Sequence, residues 1–171
     1  MKDLDNNETH QNLLIMRHGE AAAGAPDHLR RLTTQGEHEV SLMAHWLAGR
    51  LEKGGLNGLR IIASPYVRAQ QTAQIMGQAL GCEVETYKGI TPDDSPHDVC
   101  EWLMTQSELV LLVSHMPLVG ELAGVLTEGR AGFGVGFSTA AVAELKAEVW
   151  ASGCASLTRM TTPSELKSLG I

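Results

Sequence analysis

The chain has 171 residues, 43% of them hydrophobic and 19% charged, and a formal net charge of −7. That length suits one compact domain with a real core and is short for two, and the negative balance gives no electrostatic support to a nucleic-acid or anionic-membrane partner. Three widely spaced cysteines, Cys82, Cys100 and Cys154, with no C-x-x-C exclude a disulfide framework and a zinc knuckle, and fit free thiols in a reducing cytoplasm.

Residues 1–11 are polar and lack the apolar stretch of a signal peptide, so they are expected to form a flexible tail ahead of a domain over 12–171. No apolar run is long enough to span a bilayer. Asn12 to Arg17 predicts a strand buried on both faces. After a polar loop, Thr34 and Glu37 form a T-x-x-E capping box. Val40, Met43, Leu47 and Leu51 then recur at helical spacing, and Gly54-Gly55 marks the helix end. Leu59 to Ala63 predicts a second strand. Ser64-Pro65 predicts an N-cap with proline at the first helical position, opening a helix through Ala69, Thr72, Ala73, Met76 and Leu80 that Gly81 stops.

Glu83 to Tyr87 alternates as a third strand, and Ser95-Pro96 repeats the cap signal before a helix carrying Val99, Trp102 and Leu103. Leu109 to Val113 predicts the most apolar strand, followed by Ser114-His115-Met116-Pro117 and a helix to about Leu126. Gly129 to Phe137 is glycine-rich but lacks the strand-turn-helix context of a nucleotide fingerprint, which leaves its role open. Strands near Ala140 to Ala147 and Ala155 to Met160 and a helical turn from Pro163 complete the chain. This alternation predicts a single α/β domain with a mostly parallel central sheet and helices on both faces.

Sheets of this kind place their sites at the carboxyl ends of the strands. Strand one ends in Arg17-His18-Gly19, strand two in Ser64-Pro65 with Arg68 one turn on, and strand four in Ser114-His115. Two arginines and two histidines from remote segments thus meet at one rim. The set suits a phosphoryl group. The arginine fork matches phosphate oxygens with a charge that does not titrate. Helix N-termini add amide donors, and a neutral imidazole is a nucleophile toward phosphorus. A metal is not expected, because two cations would repel it and Glu20 is the only acid near a strand end. Ser64 reads as a helix cap that shapes the pocket.

His10 falls in the tail, while His38, His45 and His97 read as surface or edge residues. Nothing compels His28, in the loop after strand one, to join the pocket. Trp46, Trp102 and Trp150 read as packing.

Arg17-His18-Gly19-Glu20, the L-T-x-x-G of Leu32 to Gly36, the S-P-x-x-R-A-x-Q-T of Ser64 to Thr72, and Ser114-His115 together resemble the histidine phosphatase (phosphoglycerate mutase-like) superfamily. The likeness runs from about residue 12 to 160. The shortness of the chain and the phrases RRLTTQGE and SHMPLVGELA look most like the SixA-type phosphohistidine phosphatases of bacterial phosphorelays.

The resemblance implies that His18 is the nucleophile that becomes phosphorylated. Arg17, Arg68 and His115 would hold the phosphoryl oxygens, and Arg30 would add a phosphate contact. No metal or organic cofactor is implied. The implied partner is a phosphohistidine-bearing protein, either the phosphotransfer domain of a sensor kinase or a phosphocarrier protein. One departure stands out. Where larger relatives carry a glutamate general acid, this chain reads Lys88-Gly89-Ile90-Thr91-Pro92, and Asp93 and Asp94 just downstream read as turn acids. Two alternatives stay open: a broad small-molecule phosphomonoesterase and a non-catalytic phosphate-recognition module.

Overall fold

A computed structural model describes residues 11–54 and 58–171. The expected tail over residues 1–10 and Gly55 of the expected helix stop lie outside the described residues. Gln11, assigned to the tail from sequence, is already paired in the first strand opposite Ala147. Six strands form one mixed sheet: β1 (Gln11–Arg17), β2 (Arg60–Ala63), β3 (Val84–Thr86), β4 (Val110–Ser114), β5 (Val142–Ala147) and β6 (Ala155–Thr161). Their order is β3-β2-β4-β1-β5-β6. The first four of these are mutually parallel, and β5 and β6 run antiparallel at one edge.

Five helices cover both faces: α1 (Thr34–Gly54), α2 (Val67–Leu80), α3 (Pro96–Leu103), α4 (Leu118–Glu128) and α5 (Pro163–Ser168). The two-residue repeat of the strands divides the core. Leu13, Ile15, Leu112 and Ala143 pack with α3 and α4, including Val99, Leu103, Leu118 and Leu122. Leu14, Met16, Leu111 and Val113 pack on the other face with α1, α2 and α5 through Val40, Met43, Leu47, Met76 and Leu166. Each fully buried side chain of this size contributes roughly 1.5–3 kcal/mol against exposure. This explains why β1 and β4 read as unbroken apolar runs: both of their faces are covered. Among the described residues no helix is long and apolar enough to cross a membrane.

Two helix starts differ from the sequence expectation. The cap of α1 is Thr33 rather than Thr34: its hydroxyl accepts the Gly36 N–H at 2.9 Å. The T-x-x-E pair therefore does not form the capping box, and Thr33 also donates to the Glu20 carboxylate at 2.7 Å. Helix α2 opens at Val67 with Tyr66 at its cap, so Ser64 and Pro65 form a turn ahead of it. The Ser64 hydroxyl accepts from the Tyr66 N–H at 3.3 Å, one residue short of the helix, and so does not cap α2. Ser95 caps α3 as expected, accepting from the Asp98 N–H at 3.3 Å.

The topology places the site. From β1 the chain crosses to β2 on one side of the sheet, whereas after β4 it continues to β5 on the other side. The neighbouring strands β1 and β4 therefore define a switch point, where a crevice opens at their carboxyl ends. Arg17 lies directly opposite Ser114 in that pair.

Candidate active site

His18 follows the last residue of β1, and its backbone N–H donates to the Ser114 carbonyl at 3.0 Å. His115 follows Ser114, so the strand register alone brings the two imidazoles together, with ring centroids 5.1 Å apart. Arg68 reaches in from the first turn of α2 and donates from Nε to His18 Nε2 at 3.1 Å. Arg17 donates from Nη1 to the Phe137 carbonyl at 2.8 Å. His18, Arg68 and His115 thus meet in space, with Arg17 beside them as the last residue of β1.

The nucleophile loop is held by close backbone approach. A Cβ on Gly19 would lie 2.7 Å from Val40, and a Cβ on Gly36 would lie 2.2 Å from the Glu20 carbonyl oxygen. Only glycine at both positions lets the N-terminus of α1 sit against the turn after His18. The Gly19 N–H donates to Thr72 Oγ1 on α2 at 3.0 Å, tying the same turn to the opposite wall. The L-T-x-x-G segment therefore works as packing for the Arg17–Glu20 turn.

The hydrogen bonds of His18 define its state. Nδ1 lies 2.7 Å from the Gly19 carbonyl, which can only accept, so Nδ1 carries the proton. Nε2 receives the Arg68 bond, so it presents a lone pair. With only 8% of the residue exposed, burial is the main force lowering the His18 pKa to about 4. The charges of Arg68, Arg17 and Arg30 add to this, and the Gly19 bond opposes it. His115 is 1% exposed. Burial, followed by His18 and Arg68, lowers its pKa to about 3. Both rings are neutral at physiological pH.

Two buried polar atoms here lack partners: Arg17 Nε and His115 Nδ1. The other ring nitrogen of His115, Nε2, lies 2.7 Å from Ser64 Oγ.

Arg30 does not reach the two imidazoles directly. It donates from Nε to the Ala22 carbonyl at 2.8 Å and from Nη1 to Asp27 Oδ1 at 2.9 Å. Asp27, in a short 3₁₀ turn (Asp27–Leu29), was missed from sequence. Its second carboxylate oxygen takes Arg68 Nη2 at 3.0 Å, and its backbone carbonyl takes Arg68 Nη1 at 2.7 Å. Arg30 and Arg68 hold the Asp27 carboxyl below the usual carboxylate range. The signal available in sequence was an acid three residues before an arginine assigned to the site. Tyr66 was also missed; its ring stacks edge-on to His115 at 4.9 Å and lies under the Arg68 guanidinium at 5.1 Å. His28 approaches Tyr66 edge-on at 6.1 Å.

The Lys88–Pro92 segment flanks the site, because the Ile90 carbonyl accepts the Ser114 hydroxyl at 2.7 Å. Asp94 is spent locally, accepting from the Thr91 N–H and hydroxyl. The Gly129–Phe137 stretch lies along α4: a Cβ on Gly124 would meet the Arg130 carbonyl at 2.8 Å. Through Phe137 the same stretch delivers the carbonyl that anchors Arg17.

The low imidazole pKa values carry a stability consequence. In the unfolded chain both rings protonate near pH 6.5, whereas in the fold they do so only near 4 and 3. Between those values the unfolded state binds more protons, so stability is full above about 6.5 and is lost as pH falls through 4. Each ring contributes a slope of up to about 1.4 kcal/mol per pH unit. Urea melts at pH 7, 5.5 and 4.5 are expected to show this decline, with a shallower slope for His18→Ala. An equal slope in that variant would exclude His18 as a source.

Comparison with known proteins finds that the family model described as histidine phosphatase superfamily (branch 1) matches residues 13–91. A protein of Haemophilus influenzae named phosphohistidine phosphatase SixA homolog is 42% identical over 125 residues, covering 67% of this chain and 76% of that one. Phosphohistidine phosphatase SixA of Escherichia coli is 38% identical over 125 residues, covering 69% and 75%. Among solved structures, the protein histidine phosphatase SixA complexed with tungstate superposes with a TM-score of 0.79 at 33% identity, over 91% of this chain and 99% of that one.

Proposed function

The chain belongs to the histidine phosphatase superfamily, and from that membership we propose that it removes phosphate from phosphohistidine through a phosphorylated His18 intermediate. The observation that carries this reading is the uncharged Nε2 lone pair of His18, set among Arg17, Arg68 and His115. Nε2 attacks phosphorus in line, the substrate's N–P bond breaks, and the imidazole departs. Water then attacks the phosphorus on His18, and inorganic phosphate leaves. Arg17 Nε and His115 Nδ1, unpartnered and buried, are the donors available to phosphoryl oxygens. Arg68 exchanges its bond to Nε2 for the incoming oxygens. A donor of this kind contributes about 10²–10³ in rate. Arg30 adds charge from the rim once Asp27 gives way. The similarity to a protein solved with tungstate, itself an oxyanion, supports oxyanion binding by this chain.

The partner is a protein that bears phosphohistidine, either the phosphotransfer domain of a sensor kinase or a phosphocarrier protein. The free thiols of Cys82, Cys100 and Cys154 suit a reducing cytoplasm.

The leaving group tests the reading. Asp94 is occupied by Thr91, and Asp27 is held ionised by two arginines, so neither is suited to protonate an alkoxide. Imidazole, with a pKa of about 6.5, needs far less help. Phosphohistidine proteins and aryl phosphates are therefore expected to phosphorylate His18 rapidly, and simple alkyl phosphates poorly. Asp93→Asn and Asp94→Asn should change phosphohistidine turnover only mildly. A general acid is worth about a hundredfold or more, so a loss of that size in either variant would reveal an acid and defeat this account. Efficient cleavage of alkyl phosphates by the wild type would favour a broad phosphomonoesterase.

A further inference from the structure

Ser64 is completely buried, and every hydrogen-bonding group it carries can be assigned. Its backbone N–H donates to the Val113 carbonyl at 3.0 Å, and its own carbonyl accepts from Gln70 Nε2 at 2.8 Å. The hydroxyl oxygen has two neighbours: the Tyr66 N–H at 3.3 Å and His115 Nε2 at 2.7 Å. A backbone N–H can only donate, so Tyr66 takes a lone pair of Oγ. Among the described residues the proton of the hydroxyl then has one acceptor within reach, His115 Nε2. If Nε2 carried the proton instead, Ser64 would accept twice and its own hydrogen would be stranded in a site that excludes water.

We infer that Ser64 is a positioning residue whose hydroxyl fixes His115 as the Nδ1–H tautomer. The consequence falls on the one atom of that ring without a partner. Nδ1 is buried and unpaired, on a ring 5.1 Å from that of His18. As Nδ1–H it is a donor suited to a phosphoryl oxygen. As a bare nitrogen it would present a lone pair to an anion and repel it. The two histidines thus share one tautomer for opposite ends: His18 turns its N–H to backbone and its lone pair to phosphorus, whereas His115 turns its lone pair to Ser64 and keeps its N–H for oxygen. Only the use made of the Nδ1–H in the reaction rests on the phosphatase reading; the tautomer itself does not.

Nitrogen-15 shifts of the His115 ring in the free wild-type protein at pH 7 test the inference without any substrate. The expected result is a protonated Nδ1 and a bare Nε2; a protonated Nε2 overturns it. In Ser64→Ala the ring is expected to lose that single-tautomer signature, and vanadate is expected to bind about tenfold to a hundredfold more weakly. Ser64→Thr, which keeps the hydroxyl, should restore both. An alanine variant that is folded by circular dichroism and keeps both the wild-type tautomer and vanadate affinity overturns the inference. Failure of the wild type to dephosphorylate any phosphohistidine protein would defeat the functional reading alone, because the ring shifts report Ser64 independently.

Discussion

His18→Ala is expected to abolish turnover, by at least about 10⁴-fold, while vanadate or phosphate still binds. A missing nucleophile is not replaced by its neighbours. Here the nearest imidazole, His115, keeps its Nε2 against Ser64. The anion site survives because its cations come from other segments: Arg17 remains anchored to the Phe137 carbonyl, and Arg68 to Asp27. Stability at neutral pH should change little, since the ring lies at the end of β1, outside both apolar clusters. Incubation with a radiolabelled phosphohistidine protein checks the first point. The wild type should carry acid-labile label, and the variant none. Residual activity above a trace, with label on another residue, would transfer the nucleophile's role elsewhere.

Arg68→Lys is expected to slow formation of phosphorylated His18 by about 10²–10³-fold, although the charge is unchanged. Arg68 makes three directed bonds at once, from Nε to His18 and from both terminal nitrogens to Asp27. A lysine ammonium is a single point that cannot span these positions, nor grip two phosphoryl oxygens side by side. The Arg68 side chain is 5% exposed, so little water is at hand to fill the gap. Single-turnover phosphorylation measured with saturating donor isolates the step. A near-normal rate would show that Arg68 serves only to anchor the Asp27 turn.

Much of this is legible in the sequence, for identifiable reasons. Strands β1 and β4 are covered on both faces, so their apolar runs were long and unambiguous, and the polar residues that end them stood out. Chain order then placed Arg17, His18 and His115 at one edge, because the carboxyl ends of parallel strands lie together. What escaped was everything decided by contact. Asp27 sits in a loop with no periodic pattern, and its importance comes from two arginines that fold over it. Ser64 looked like a cap because Ser-Pro usually is one. Its proximity to a histidine 51 residues away depends on β2 and β4 being neighbours, which no local rule conveys. The cap of α1 lies one residue earlier, at Thr33, because the Thr33 hydroxyl also reaches the Glu20 carboxylate, a contact the T-x-x-E pattern of Thr34 and Glu37 does not convey.

The Asp27 carboxylate changes what binding means at this rim. A pocket built from Arg17, Arg30 and Arg68 in a protein of net charge −7 would ordinarily collect whatever small anions the solution offers. Here the counterion is tethered to the chain, half in water with 55% of its side chain exposed, and it bridges two of the three cations. A phosphoryl group entering here therefore competes with the Asp27 carboxylate for the same guanidinium donors. A probe on the exposed Leu29 side chain is expected to change its signal when vanadate binds, and an unchanged signal would show that Asp27 stays on its arginines.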